Sequence, residues 1–327
     1  MRPYYNYGIN RKWDVNAIPL MGRGDLWSPG QRHILYIICN VEALPLRYSL
    51  WGVDILKRKG EFIIGLIILI GLLIVYGLIE PYWIKEKTVT INNQEIPKQF
   101  NDVKIVFMSD IHHGPFLSKK RLAKVVDRVN SLEPDIILMG GDYVQYSPKY
   151  IEPCFKELEK LKADIGVYGV LGNHDHLESQ ELTRQFMKEA GILSIDNKSY
   201  WIEKGEGRIK VGGVGDYYYD IQNIEHTVYD VQSEDFVILV THNPDYLEEL
   251  ETDKIDLAFA GHTHGGQVTF FGLWAPLIPS RFGQKYRTGL LSMDNMKVIV
   301  SNGIGTVGLP IRFFARPQIV TVLLKSN

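Results

Sequence analysis

Cysteine is almost missing from this chain: Cys39 and Cys154 are the only two in 327 residues. That excludes a disulfide framework and a cysteine-based zinc site. There is no internal repeat and no low-complexity tract. Net charge is also scarce, with 36 basic and 38 acidic residues giving −2. The balance is uneven along the chain: residues 1–60 carry +5 and the remaining 267 carry −7. The main body therefore lacks the basic face that releases phosphate counterions, and no nucleic-acid partner is expected. Hydrophobic residues make up 45% and charged residues 23%, which excludes a disordered or collagen-like chain. The length allows two domains, or one large domain with an appendage.

What is present in quantity is a long apolar run. Phe62 to Ile79 holds 18 residues without a charge, between Lys57-Arg58-Lys59-Gly60-Glu61 and Glu80-Pro81. As a helix it spans about 27 Å, close to the hydrocarbon core of a bilayer. Tyr82 and Trp83 suit the far interface, and Trp51 the near one. A buried core helix is a poor alternative, because this helix is apolar on every face. A cleaved signal peptide would end in small residues, and Leu78-Ile79-Glu80-Pro81-Tyr82 offers no such site. The expectation is an uncleaved single-pass anchor over 61–80, preceded by a weakly ordered segment 1–60 and followed by a linker 81–102. Leu56-Lys57-Arg58-Lys59 followed by the apolar run looks like the opening of a membrane anchor, so a natural start near Leu56 is one alternative to a start at Met1. Arg47, Lys57, Arg58 and Lys59 precede the anchor, against Lys85 and Lys87 after it, which places the chain after the anchor outside the cytoplasm.

From residue 103 to 327, strand-like and helix-like segments alternate, as in layered α/β folds. The strands expected at 103–108, 135–139, 165–171, 236–240 and 257–260 share a feature. Each runs into a polar turn: Ser109-Asp110-Ile111-His112-His113, Gly141-Asp142, Gly172-Asn173-His174-Asp175, Thr241-His242-Asn243 and Gly261-His262-Thr263-His264. Seven of the nine histidines lie in these turns. Carboxyl ends of strands are where α/β folds gather ligands. One histidine after a strand is ordinarily a packed or surface residue, but five strand ends supplying His, Asp and Asn together point to a metal centre. Imidazole and carboxylate without thiolate suit Mn, Fe or Zn. In D-x-H and H-x-H the two side chains of an extended strand end would point the same way. Two divalent metals about 3.5–4 Å apart can hold a bridging hydroxide for in-line attack on a phosphate.

The ordered set D-x-H, G-D, G-N-H-D, H and G-H-x-H resembles the calcineurin-like metallophosphoesterase superfamily, from about Lys104 to Leu324. The resemblance implies a four-layer α/β/β/α sandwich around a two-metal site. One metal would take Asp110, His112, Asp142 and His264; the second would share Asp142 and take Asn173, His242 and His262. His174 would contact the phosphate and assist the leaving oxygen, and Asp175 matches the position after it. Manganese is the favoured metal pair, with iron or zinc as alternatives.

The turn 261–267, with the tail from Asn302-Gly303 through Arg312 to Arg316-Pro317, looks like membrane-associated bacterial phosphodiesterases related to UDP-2,3-diacylglucosamine hydrolases. This implies lipid- or nucleotide-lipid-linked phosphoester substrates at the cell membrane. Gln145 stands where protein phosphatases carry an Asp, and no G-D-x-x-D-R-G is present, which argues against that branch. Lys57-Arg58-Lys59 stands before the apolar run where some close relatives carry an Arg-Arg pair, so export by the twin-arginine route is not the expectation. Gln318 follows Arg316-Pro317 where many relatives have Glu. Arg312 and Arg316 are candidates for a phosphate or sugar headgroup, or for surface ion pairs. Asp216 is a candidate for facing the site or for holding a turn. The alternative to an enzyme is a catalytically silent binding module with the same fold, which should have lost ligands that are all present here.

Overall fold

The structure is a computed structural model and describes Ile55 and residues 57–327. The expectations for residues 1–54, for the Trp51 interface and for a start at Leu56 lie outside the described residues. Lys57–Tyr82 is one helix of 26 residues, α1, and only 6% of its most apolar stretch is buried. Its last turn tightens at Glu80–Tyr82, with Pro81 in the first turn of the 3-10 segment. Length and composition make it a candidate membrane span.

Ile70–Asn327 forms a compact unit. It contains two six-stranded sheets. The first is ordered β1 (Lys85–Asn93), β12 (Gln318–Ser326), β2 (Lys104–Met108), β3 (Ile136–Met139), β4 (Gly166–Gly169) and β5 (Leu193–Ser194). The second is ordered β10 (Gly289–Met293), β11 (Met296–Val300), β9 (Leu257–Ala260), β8 (Phe236–Thr241), β7 (Gly207–Gly213) and β6 (Lys198–Lys204). Strands β2 to β5 run parallel, as do β7, β8, β9 and β11. The strands are continuous apolar runs because both of their faces are covered.

Alternate side chains of the same strands show how the layers stack. Ile105 and Phe107 of β2 and Ile136 and Leu138 of β3 join Phe236, Ile238 and Phe259 of the other sheet in one buried cluster. Phe107 and Phe259 meet there with ring centroids 5.0 Å apart. The intervening Val106, Met108, Ile137 and Met139 pack on the opposite face, against Leu122, Val125, Val126 and Val129 of α2 (Lys119–Asn130) and Phe155 of α3 (Ile151–Leu158). Met187 of α4 (Asn173–Glu189) closes that layer. Across the second sheet, Val237, Leu239 and Ala258 face Tyr246 and Leu247, with α5 (Glu225–Val228) contributing Val228. The expected four-layer α/β/β/α sandwich is therefore present, preceded by one apolar helix. Each fully buried large apolar side chain contributes roughly 1.5–3 kcal/mol.

Segment 81–102, expected as a linker, is instead part of the sheet. Its β1 pairs in parallel with β12 over nine residues, from Lys85↔Gln318 to Asn93↔Ser326. Alternation explains this: Val89 and Ile91 turn inward, while Glu86, Thr88, Thr90 and Asn92 are exposed. The apolar helix thus runs into the fold within three residues, without a slack tether. Its Glu80 is fully buried, and the carboxylate accepts hydrogen bonds from the Phe314 and Ala315 amides at 2.7 and 2.6 Å.

Candidate metal centre

The five polar turns converge at one place. Asp110, His112 and His264 offer donor atoms that lie within 4.8 Å of one another, as do Asp142, His242 and His262. His112, Asp142 and His174 form a third such group. The Asn173 Oδ1 lies 3.1 Å from His242 Nε2. All eight residues named from the sequence are therefore together. Six are buried, and Asn173 and His174 are half-buried at the start of α4.

The turns are stitched by main-chain bonds. The Asp110 amide donates to Gly141 O at 2.9 Å, His112 N to Asp142 O at 3.0 Å, and Gly261 N to His242 O at 3.0 Å. Asp175 holds two turns at once: its carboxylate accepts from Asp142 N (2.8 Å), Tyr143 N (2.9 Å) and Gly172 N (2.9 Å). The sequence marks Asp175 only by position; this bracing role was not legible there. Ser109 is a further missed member, its hydroxyl donating to the Asp110 carboxylate. The extended conformation expected for D-x-H is not what brings the side chains together. Asp110, His112, Asp142, His262 and His264 all have left-handed backbones, with φ of 51°, 47°, 56°, 66° and 53°. Such a conformation costs about 1–2 kcal/mol per residue, and its concentration at one point marks a functional site.

His242 Nδ1–H donates to Gly140 O at 2.7 Å, which turns Nε2 toward Asn173 Oδ1 (3.1 Å), Asp142 Oδ2 (3.2 Å) and His262 Nδ1 (3.2 Å). Nitrogen and oxygen donors thus converge on one point, and a cation bound there would displace the proton that His242 otherwise shares with Asp142. Similarly, His112 Nε2 faces His264 Nε2 at 3.1 Å, and His264 Nε2 lies 3.4 Å from Asp110 Oδ1. Burial lowers His242, but Asp142 and Asp110 outweigh it and raise this imidazole to about 10. Burial, reinforced by neighbouring imidazoles, drops His112 and His262 to about 3 and His264 well below its ordinary value. Burial raises Asp110 to about 6, whereas His242 and His112 hold Asp142 well below the carboxylate range against its burial. Three neutral imidazoles beside an ionised carboxylate make a donor set that fits divalent metal ions.

The other sequence candidates hold main-chain groups, and of them Asp216 lies near enough to help raise His242. Arg312 is fully buried and neither grips a phosphate nor pairs on the surface. Its guanidinium donates to Asn302 O (2.7 Å), Gly305 O (2.6 and 3.1 Å), Ala315 O (2.7 Å) and His264 O (3.2 Å). It thereby fixes the main chain of one candidate ligand. Arg316 Nε donates to Trp83 O at 2.8 Å, at the end of the helix rather than at the site. Asp216 is buried and holds a turn, with Oδ1 accepting from the Tyr218 and Tyr219 amides at 3.0 Å each. Tyr218 itself flanks the site, its ring centroid 5.8 Å from that of His262.

Residues 103–266 match the family described as calcineurin-like phosphoesterase. The chain is 30% identical over 255 residues to an uncharacterised metallophosphoesterase, YkuE, of Bacillus subtilis (strain 168), covering 76% of this chain and 88% of that protein. It is 30% identical over 259 residues to an uncharacterised metallophosphoesterase of Aquifex aeolicus (strain VF5), covering 76% and 95%. A transmembrane protein with a metallophosphoesterase domain from Danio rerio is 28% identical over 251 residues, covering 73% of this chain and only 56% of its own length. A match over half of the sequence and relatives similar across three quarters of it place this chain in the calcineurin-like phosphoesterase family.

Proposed function

We propose that this chain is a membrane-anchored phosphodiesterase with two divalent metals. Asp110, His112, Asp142 and His264 hold one, and Asp142, Asn173, His242 and His262 hold the other. The observation that carries this reading is the convergence of Asn173 Oδ1, Asp142 Oδ2 and His262 Nδ1 within 3.2 Å of His242 Nε2, with Asp142 as the ionised member. Manganese is the preferred pair for this nitrogen and oxygen donor set, with iron or zinc as the alternatives. When bound, such ions polarise phosphoryl oxygens and activate water at neutral pH.

The chain's own residues supply the rest. Asp142 lies between the two ligand groups, with Oδ2 at 3.5 Å from His112 and 3.2 Å from His242. The His174 amide donates to Asp142 Oδ1 at 2.8 Å, so the first turn of α4 fixes the carboxylate while presenting the imidazole. That imidazole meets His112 edge-on at 4.9 Å and is half-buried, so it is open to substrate. His174 is the group that contacts the phosphate and delivers a proton to the leaving oxygen.

The substrate class is phosphodiesters, lipid- or nucleotide-lipid-linked. Support comes from the uncovered apolar helix that joins β1 within three residues, which keeps the site near a bilayer and raises the effective concentration of membrane-bound phosphoesters. Hydrolysis of UDP-2,3-diacylglucosamine is the specific candidate, in tension with a domain outside the cytoplasm because UDP-sugar lipids are made inside. The direct test is hydrolysis of bis-p-nitrophenyl phosphate by metal-free protein with and without added manganese. Manganese-dependent turnover is expected. A chain that binds two manganese ions yet hydrolyses no phosphodiester would be the silent binding module instead.

A further inference from the structure

We infer that the hairpin from Phe270 to Leu277 is a membrane-inserting lip, seated beside α1 on the rim of the metal centre, and that its partner is the headgroup–acyl boundary of the bilayer. This rests on reading α1 as an anchor. The hairpin is a defined element: Phe270 N donates to Trp274 O at 2.7 Å, and Leu273 N to Phe270 O at 3.0 Å. Its tip carries Phe271 at φ 51°, a left-handed conformation that is an outlier for a bulky residue. No acidic or basic residue occurs between His264 and Arg281. Within that stretch Phe270, Phe271, Leu273, Trp274 and Leu277 are 66, 64, 79, 53 and 77% exposed. Five large apolar side chains so exposed, on one short element, form the kind of contiguous patch that marks an interaction surface.

Continuity with the apolar helix says what covers it. Aromatic rings run without a break from α1 to the tip: Tyr76 to Phe314 at 5.2 Å, Phe314 to Phe271 at 5.1 Å, and Phe271 to Phe270 at 4.8 Å. Tyr76 sits one turn before Glu80, inside the charge-free run, and Gly77 O accepts from Arg312 N at 3.0 Å. The hairpin therefore lies level with the last apolar turn of the helix, where a spanning segment meets the headgroups. It is also rigidly tied to the site. Phe313 N donates to Gln267 O at 2.9 Å, and Thr269 N to Phe313 O at 2.8 Å. A methyl placed on Gly266, two residues after His264, would come 2.3 Å from the Ala275 Cβ. The lip is therefore joined to the His264 turn by direct contacts, so a lip seated in the bilayer would hold the metal centre close to the headgroups.

The test uses full-length protein, with Cys39→Ser, in nanodiscs of phosphatidylcholine and phosphatidylglycerol; buried Cys154 stays unlabelled. Nitroxides are placed by Leu273→Cys, by Leu72→Cys in the helix and by Ser233→Cys on an exposed loop. Immersion is read from collision with oxygen against a water-soluble nickel chelate. A label at 273 about 5–10 Å below the phosphate level is expected. A label at 273 as water-exposed as that at 233, while 72 is immersed, would overturn the lip and leave the anchor standing. Both 72 and 273 in water would remove anchor and lip together. Manganese content and bis-p-nitrophenyl phosphate turnover on the same samples report the phosphodiesterase reading separately, since its failure moves no label.

Discussion

Adding one methyl group at Gly172 should disable the metal centre while leaving the fold in place. A Cβ there would lie 2.3 Å from Asp142 Oδ1, 2.7 Å from the Asp142 amide nitrogen and 2.7 Å from His242 Cε1. Ordinary contact begins near 3.4 Å, so about 1 Å must be found. The Asp142 backbone cannot yield freely, because its amide and that of Gly172 share the Asp175 carboxylate at 2.8 and 2.9 Å. The two turns that Asp175 joins must therefore part slightly, and the Asp142 and His242 side chains are displaced with them. A misplacement of about 1 Å at a reacting centre costs on the order of a hundredfold in rate. Overpacking itself costs about 1–3 kcal/mol, or about 2–4 °C of melting temperature per kcal/mol in a domain of this size. The assay compares kcat/KM for bis-p-nitrophenyl phosphate, bound manganese and the thermal midpoint for Gly172→Ala and wild type. A folded variant with wild-type turnover and full metal would refute the reasoning that this glycine makes room for the bridge.

His174→Ala should keep both metals yet lose about a hundredfold or more in kcat, the usual cost of removing a proton donor; unchanged kcat would take His174 out of the mechanism. Asp256 supplies a pH dependence. Burial, with Glu95 beside it, raises its carboxyl from 3.8 to about 7, while it accepts from Val237 N and Asn93 Nδ2. A carboxyl raised in the fold favours the folded state when protonated, so its contribution is complete below about pH 4 and is lost as pH rises through 7. The melting temperature of Asp256→Asn relative to wild type should accordingly rise between pH 5 and pH 8; a constant difference would contradict that. For topology, protease added to intact spheroplasts should digest the domain, because Arg47, Lys57, Arg58 and Lys59 lie before the apolar run and Lys85 and Lys87 follow close after it. Full protection would reverse the orientation.

The sequence revealed the α/β layering because strands such as Ile136–Met139 and Phe236–Thr241 are buried on both faces and so appear as unbroken apolar runs. β1 was hidden by the opposite circumstance. It is a one-faced edge strand, and its Lys85-Glu86-Lys87 start masks the alternation carried by Val89 and Ile91. Residues of the site were identifiable because Asp, Asn and His recur at strand ends, and chemistry needs those types whatever the local backbone. The backbone itself was not legible: left-handed conformations at Asp110, His112 and Asp142 have no glycine to announce them. Arg312 misled for a related reason. An arginine in a Pro- and Gly-rich tail suggests a surface contact, and only tertiary structure shows it spent on five donations to buried carbonyls.

Sharing of Asp142 by two metals is the core of the proposed site. Its most direct test is metal stoichiometry by plasma mass spectrometry on purified full-length protein reconstituted with manganese, beside Asp142→Asn prepared identically. Two manganese ions per wild-type chain, with fewer in the variant and most activity lost, is the predicted result. An Asp142→Asn variant that holds two ions and turns over normally would contradict the account.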